Sequence, residues 1–546
     1  MNRWQGDPGN TARAVRPWRQ ALLLAGVVGL AYAGALPNGF VWDDRLQIVA
    51  NPHLEGAAEL PGYFVQFSQS LNFPAPQLTY RPFFLVSLLI DHAAWGLQPF
   101  GYHLTNLLLH LINTWLVFRL GSMLAGSPLA GLWAGLLFGL HPVQTEAVDW
   151  ISGRTEAIAA LFVLLAMVCD WQWSRSQGWR AMVWGAATVA ATVCALLSKE
   201  TAIVLPLALL LRAWLTGEGA PRPAALRALL VALPVVVYLL IRLSTMSNMI
   251  QSASERDWGG LIVTAAAAML EYLRLIVWPL NLTAAHDFRF LNPTAGRLLG
   301  VIAGSIGAAM ALWWLRRWRF VAFGLMWAMA FLLPSFALLL VGRGYLITER
   351  SLYVPMAGLA VGGGWLAARA LGALRASYRQ RGAAAGWAGL AIVLAGMAWA
   401  VSTRHQAWHD ELSLWIDAVA KAPASGFARH NLAVELDRRG RAAEAVEVLR
   451  DGLRQVPDDL EIMVTLGEVS FNLGDVPTAA QLFQSAMRRD DGRPDPIVMA
   501  RAYYGWGLVQ YNQGSGESAR RAWEAAIRLN PRHAEAALAL KRVVGP

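Results

Sequence analysis

Lysine is almost missing from this chain of 546 residues: Lys199, Lys421 and Lys541 are the only ones. Charge of both signs is scarce as well, at 15% of residues, where an average soluble domain carries about a quarter. That scarcity excludes a protein that is water-soluble along its whole length. Cysteine is limited to Cys169 and Cys194, both inside apolar runs, which excludes a disulfide framework and a thiolate metal site. What is abundant is apolar: 56% of residues are hydrophobic and the mean hydropathy is +0.39. The excess lies before about residue 402, and the tail after it has an ordinary soluble composition. A membrane part and an aqueous part are therefore implied. The net charge of +10 is nearly all arginine, clustered between the apolar runs. Arginine so placed orients a membrane protein and does not form the continuous basic face that nucleic acid needs.

A spanning helix needs about 20 mostly apolar residues. Eleven runs qualify, at 20–36, 100–120, 129–140, 155–171, 181–197, 201–215, 225–243, 298–315, 320–341, 352–371 and 384–401, the third borrowing flanking residues. The first is long and has no small-residue exit before a soluble domain, so it reads as a spanning helix and not as a cleaved leader. Arg3, Arg13, Arg16 and Arg19 precede it and place the N-terminus in the cytoplasm. Alternation then puts Arg119, Arg175 with Arg180, Arg222 with Arg227, Arg316, Arg317 and Arg319, and Arg369 with Arg375, Arg379 and Arg381 on the same inner side. A twelfth run, 259–279, is long enough to span but would reverse everything after it. It carries Glu271 and Arg274 one helical turn apart and is expected to be an interfacial or re-entrant helix on the outer side. The expected topology is an integral multi-pass protein, in a bacterium of the inner membrane, with its C-terminal arm in the periplasm.

That arm repeats with a period near 34 residues. Ala433, Gly467 and Gly507 occupy one position of the repeat, Ala445, Ala479 and Ala519 a second, and Leu449, Phe483 and Trp523 a third. Gly440, Gly474 and Gly514 mark turns; Pro457 and Pro531 close units, while the second unit has Asp491 there and an insert with Pro494 and Pro496. Small residues let paired helices approach and large ones fill the groove between neighbours, which resembles the tetratricopeptide (TPR) repeat. The fold class expected is all-α: a polytopic membrane helix bundle of about eleven spans over 1–403, with outer loops at 37–99 and 246–297. A TPR α-solenoid follows over 404–546, with repeats near 426–459, 460–493 and 500–533 and a capping helix at 534–546. Residues 408–423 read as a degenerate leading half-unit. Its concave groove, with Asn431 and Tyr504, is the candidate peptide-holding surface; a structural prop is the plainer reading.

Charged groups at membrane depth are candidates for function. Here those that do not mark the inside gather at outer ends of spans. The first outer loop opens Asn38-Gly39-Phe40-Val41-Trp42-Asp43-Asp44 and ends Tyr80-Arg81-Pro82. His141 to Glu146 and Trp150 to Glu156, with Arg154, follow the third run; Ser198-Lys199-Glu200 follow the fifth; Arg343 and then Glu349-Arg350-Ser351-Leu352-Tyr353 follow the ninth; the long outer loop holds His286-Asp287. Adjacent acids suit a general base held by a partner, or a metal, although a helix cap is the plain alternative. Arginines suit a phosphate, whose oxygens their fork matches. Transporters place such charges near the midplane on broken helices, and these lie at one rim.

These motifs, with Pro99 to His110 and Leu197 to Thr201, are similar to those of the transmembrane-and-TPR protein O-mannosyltransferases and their bacterial relatives. That family sits within the GT-C class of glycosyltransferases that use lipid-phosphate sugars. The resemblance implies a polyprenyl-phosphate mannose donor, a Ser or Thr hydroxyl of a protein as acceptor, and inversion at the sugar carbon. It implies that Asp43 or Asp44 is the base. Arg81, Lys199 and Arg350 become candidates for stabilising the departing phosphate, and Tyr80, His141, Glu146, Arg154, Glu200 and Glu349 for orienting them or touching the sugar. No cofactor is firmly implied; two acids without a nearby histidine are a weak metal signal. The tail departs from the pattern, since three clear repeats stand where eukaryotic members carry many more, and this leaves the acceptor open. The same enzyme class acting on a glycan or lipid, or a membrane-anchored TPR scaffold without enzymatic activity, are the alternatives.

Overall fold

The structure, a computed structural model, describes the chain except for residues 1–16, 55, 57–59, 66–79, 219–220, 251–257, 287, 289–290, 337–346, 489–494 and 545–546. Arg3, Arg13, Arg16, Asp287, Arg343, Asp491 and Pro494 lie outside the described residues. Every regular element among those described is helical.

Nine described helices are long and apolar enough to cross a membrane. They differ from the eleven expected runs by length: Pro17–Tyr32, Pro128–Leu140 and Leu205–Thr216 are shorter, and Trp258–Val277 joins the set. The last two expected spans lie in one helical stretch, Tyr353–Arg404. That stretch doubles back. A Cβ on Gly386 would touch the Leu371 side chain at 2.8 Å and Leu374 at 2.9 Å, residues that a straight helix would hold roughly 18 Å or more away. The two ends of the stretch are also joined through one run of rings: Tyr353 lies 5.7 Å from His110, which is 4.9 Å from Tyr32, itself 5.6 Å from His405.

Trp258–Val277 is long and apolar enough to cross a membrane. The chain after it runs back alongside: Arg274 reaches the Leu280 carbonyl, His286 faces Glu271 at 3.9 Å, and the Leu291 N–H donates to Thr264 at 2.9 Å. The helix and the segment after it therefore pack together as one unit. Inside the long first loop the structure adds a helix the periodicity does not reveal, Pro82–Trp95. It is apolar but too short to span, and Gly96 to Gln98 join it directly to Pro99–Ala125.

Helices approach closely where the sequence is smallest. A Cβ on Gly364 would run into the Ala134 backbone and the Ala130 carbonyl of the facing helix; small residues give this kind of intramembrane contact. Gly364→Leu is therefore expected to lower the melting temperature of detergent-solubilised protein, at a cost of about 1–3 kcal/mol or more from overpacking. Gly300→Leu is the control, because nothing lies within 4 Å of Gly300 on a helix with no buried residue. Equal melting of the two variants would disprove the tight crossing.

The arm begins with Glu411–Lys421 and continues as three antiparallel pairs, Gly426–Arg438 with Ala442–Gln455, Leu460–Asn472 with Val476–Met487, and Pro496–Asn512 with Gly516–Leu529, before Ala534–Val544. Gly440, Gly474 and Gly514 take φ of +75°, +83° and +79° at the turn inside each pair, a conformation that excludes most side chains. Gly467 and Gly507 leave room for the rings of Phe483 and Trp523.

Candidate active site

The first long loop is fixed at its start by contacts from the far end of the chain. Asn38 donates to the His405 carbonyl at 3.3 Å and the Gly39 N–H to the His409 carbonyl at 2.9 Å. Trp42 then adopts φ +55°, which is rare for a bulky residue and marks a position held by its surroundings. Its indole stacks on Trp150 at 4.6 Å.

The two acids that follow are not equivalent. Asp44 is fully buried and both its oxygens are engaged: one accepts from the Val41 N–H at 3.2 Å, the other from the Ser152 N–H at 2.9 Å and hydroxyl at 2.5 Å. Asp43 is half-buried, and no side-chain hydrogen bond to it is found among the described residues. Burial pushes the Asp43 carboxyl up to about 6, with Arg350 pulling it down and Glu411 pushing it further up. Burial pushes Asp44 up to about 7 against the pull of its three donors.

Arg350 lies over Trp150 at 4.8 Å and Trp42 at 5.8 Å. Its guanidinium pairs with Glu146, whose other oxygen accepts the Arg350 N–H at 2.9 Å. Glu349 points the opposite way and accepts from the Thr283 N–H and from His286 at 3.3 Å. The adjacent residues Lys199 and Glu200 also diverge: Lys199 pairs with Glu156, and Glu200 with Arg81 at 3.0 Å. Burial alone would raise the Glu200 carboxyl, but Arg81, Lys199 and Arg242 outweigh it and hold it near about 2. Glu156 joins the two groups, since its charge is felt by Arg350 as well as by Lys199. Asp43, Arg350, Glu146, Glu156, Lys199, Glu200 and Arg81 thus form one network of opposite charges drawn from five segments.

Other expected residues stand behind this network. Arg154 is fully buried, bound to Asp91 at 2.6 Å, Asn106 at 2.6 Å and the Tyr102 carbonyl at 2.8 Å, so it braces the site and has no open face for a sugar. His141 is buried too; its Nδ1 accepts from the Val143 N–H at 3.3 Å, so Nε2 carries the proton and donates to the Ile276 carbonyl at 3.0 Å. Burial lowers it to about 4, leaving it neutral. The Tyr80 hydroxyl donates to the Phe64 carbonyl at 2.8 Å. In the arm, Asn431 donates to the Phe427 carbonyl of its own helix at 2.8 Å, and the Tyr504 ring packs 4.9 Å from His533. The polar ladder that links the three inner helices is instead Arg501 with Glu461, Glu468, Thr465 and His430. Sequence reasoning did not single out Asp91, Glu156, Ser152 or Glu411 as site residues. No group of three or more His, Cys, Asp or Glu placed to hold a metal occurs among the described residues.

A multi-span membrane bundle with charged groups at one rim and a repeat arm on that rim is the class of protein defined. The tetratricopeptide repeat family matches residues 430–494 and 504–540. Over about a third of its length the chain is similar to protein O-mannosyl-transferases. Drosophila melanogaster Tmtc1 is 34% identical over 206 residues, 36% of this chain and 24% of that protein. Mus musculus TMTC2 is 34% identical over 192 residues, 34% of this chain and 23% of that protein. The chain thus spans about a quarter of the length of the curated relatives it matches. Among solved structures, ArnT from Cupriavidus metallidurans bound to undecaprenyl phosphate matches with a TM-score of 0.39 and 16% identity over 80% of each chain.

Proposed function

We propose that the chain is an inverting membrane glycosyltransferase that moves a sugar, mannose, from a polyprenyl phosphate to a Ser or Thr hydroxyl of a protein on the outer side of the membrane. The observation that carries this reading is an unbonded carboxylate, Asp43, beside Arg350 in a loop at the end of an apolar bundle. The name of the relatives, protein O-mannosyl-transferase, supports the sugar and the acceptor. Asp43 takes the proton of the acceptor hydroxyl while the hydroxyl oxygen bonds to the anomeric carbon. The bond from that carbon to the phosphate oxygen breaks, and polyprenyl phosphate leaves with the electron pair. Arg81, Lys199 and Arg350 stabilise the departing charge. Each is paired with a carboxylate, so an arriving phosphate trades partners with groups that are already oriented. Glu146, Glu200 and Glu156 hold these cations, and Arg154, His141, Glu349 and Tyr80 brace the segments around them. No cofactor enters the scheme. The arm, in the periplasm of a bacterium, holds the acceptor in its groove near Tyr504 and Asn431.

The test is transfer itself. Cells expressing the protein are converted to spheroplasts and given Ser/Thr peptides that cannot cross the membrane; purified protein in liposomes receives polyprenyl-phosphate mannose with the same peptides and with glycan acceptors. Mannosylated peptide from both preparations is expected. Transfer to glycan or lipid alone would replace the acceptor, peptide modification only in broken membranes would reverse the orientation, and no transfer at all would leave the scaffold.

A further inference from the structure

The arm and the first long loop share one hydrophobic core: Val41 and Trp150 are buried with Trp408, Leu414, Trp415 and Leu432. At the seam sits Glu411, the first residue of helix Glu411–Lys421 and itself buried. One of its oxygens accepts from the Trp415 indole N–H at 2.6 Å. The other accepts the Trp42 N–H at 2.7 Å and faces Arg45 Nε at 3.3 Å. The Trp42 ring meets Trp415 at 5.5 Å and Phe427, in the first repeat, at 5.9 Å. The same helix is tied down elsewhere, by Asp417 to Arg404 at 2.5 Å and by Lys421 to the Leu282 carbonyl at 2.8 Å. Trp42 is the residue with φ +55°, immediately before Asp43. A bulky residue stays in that region only while its surroundings over-determine it.

We infer that Glu411 is a positioning residue for Asp43, so that the arm is a working part of the active site and not only a tether for the acceptor. Glu411 captures the Trp42 amide, and Trp415 and Phe427 wall its ring; together they fix the backbone turn that aims the next side chain. Movement of the first repeat is thereby transmitted to the base. This rests on Asp43 being the base, as proposed above. The charged groups that face Asp43 are Arg350, Glu411 and the neighbouring Asp44, with Arg45 bound to Glu411.

Glu411→Gln keeps the size of the side chain but removes its charge and half its acceptors. In full-length protein in liposomes, with polyprenyl-phosphate mannose and a Ser/Thr peptide, kcat is expected to fall about 10- to 100-fold, as expected when a general base is misplaced, with both KM values within about twofold. The acid limb of the pH profile moves to lower pH, because one negative charge beside Asp43 is gone. Amide exchange at Trp42 quickens while that of the membrane helices does not. Trp415→Phe, which keeps an aromatic ring but loses the indole N–H and some packing volume, is the second variant and is expected to lower kcat and quicken Trp42 exchange more weakly, with the pH limb unmoved because Glu411 keeps its charge; it decides if Glu411→Gln does not fold. Wild-type kcat, pH limb and Trp42 exchange in a folded variant would overturn the inference, as would a change in KM alone. An active Asp43→Asn protein would instead remove the underlying reading, and the exchange measurement stands without any turnover.

Discussion

If the chain transfers sugar as proposed, Asp43→Asn is expected to cost nearly all of that activity and to leave the melting temperature close to wild type; Asp44→Asn is expected to do the reverse in emphasis, unsettling the loop first and activity only through it. The asymmetry follows from how the two carboxylates are used. Asp44 spends both oxygens on the Val41 and Ser152 donors, and an amide in its place presents N–H to N–H at one of them. Leaving a buried donor unsatisfied costs about 1–3 kcal/mol. Asp43 makes no such bond, so its amide has nothing structural to lose. A positioned general base contributes about 10²–10⁴-fold, and that is the expected fall in kcat. The pH sign is also fixed. A base works ionised, and burial holds Asp43 near about 6, so kcat rises as pH passes upward through about 6 and is lost below it. Rates and melting curves for both variants from pH 5 to 8 are the measurement; full activity in Asp43→Asn would sink the assignment.

The repeat glycines, the apolar helices and the charged loop motifs were legible in the sequence because each is a local pattern, a period, a length or a short string, although nine described helices and not eleven are long enough to span. Partners were not. Lys199 stands next to Glu200 and Glu349 next to Arg350, yet each turns to a residue far away in sequence. Neighbouring side chains at the start of a helical turn point in different directions, so adjacency in sequence says little about pairing. The choice between Asp43 and Asp44 was hidden for the same reason, since Ser152 lies 108 residues on. Asp91 sits inside the apolar helix Pro82–Trp95, where one acid reads as an exception until Arg154 is found against it. Glu411 carries no motif at all; it opens a helix of the aqueous arm, and only the fold brings it to Trp42.

Arg212→Met is expected to destabilise the protein more than any change at the rim. Asp170, near the far end of the helix that starts at Arg154, accepts from Arg212 at 2.5 Å and from Arg227 at 2.9 Å, and Glu218 pairs with the same two arginines. Arg212 and Asp170 are both fully buried. The four charges cancel; removing Arg212 leaves two carboxylates facing Arg227 alone. Breaking a buried pair from one side costs about 3–5 kcal/mol, because the orphaned charge stays in a poor solvent. Glu218 is partly exposed and relaxes into water, which places the loss toward the lower end of that range. Removing both partners is different in kind: Asp170→Leu with Arg212→Met leaves Arg227 and Glu218 as a neutral pair, and replacing a buried ion pair by apolar groups is often neutral or stabilising. The double variant is therefore expected to melt above either single one, a coupling that only contacting residues show. Fourteen residues of helix separate Asp170 from Glu156, about 21 Å, so the folded double variant is expected to match wild type in the proposed transfer. Melting of the four proteins in one detergent decides: if Arg212→Met matches wild type, the quartet is not what holds these helices together.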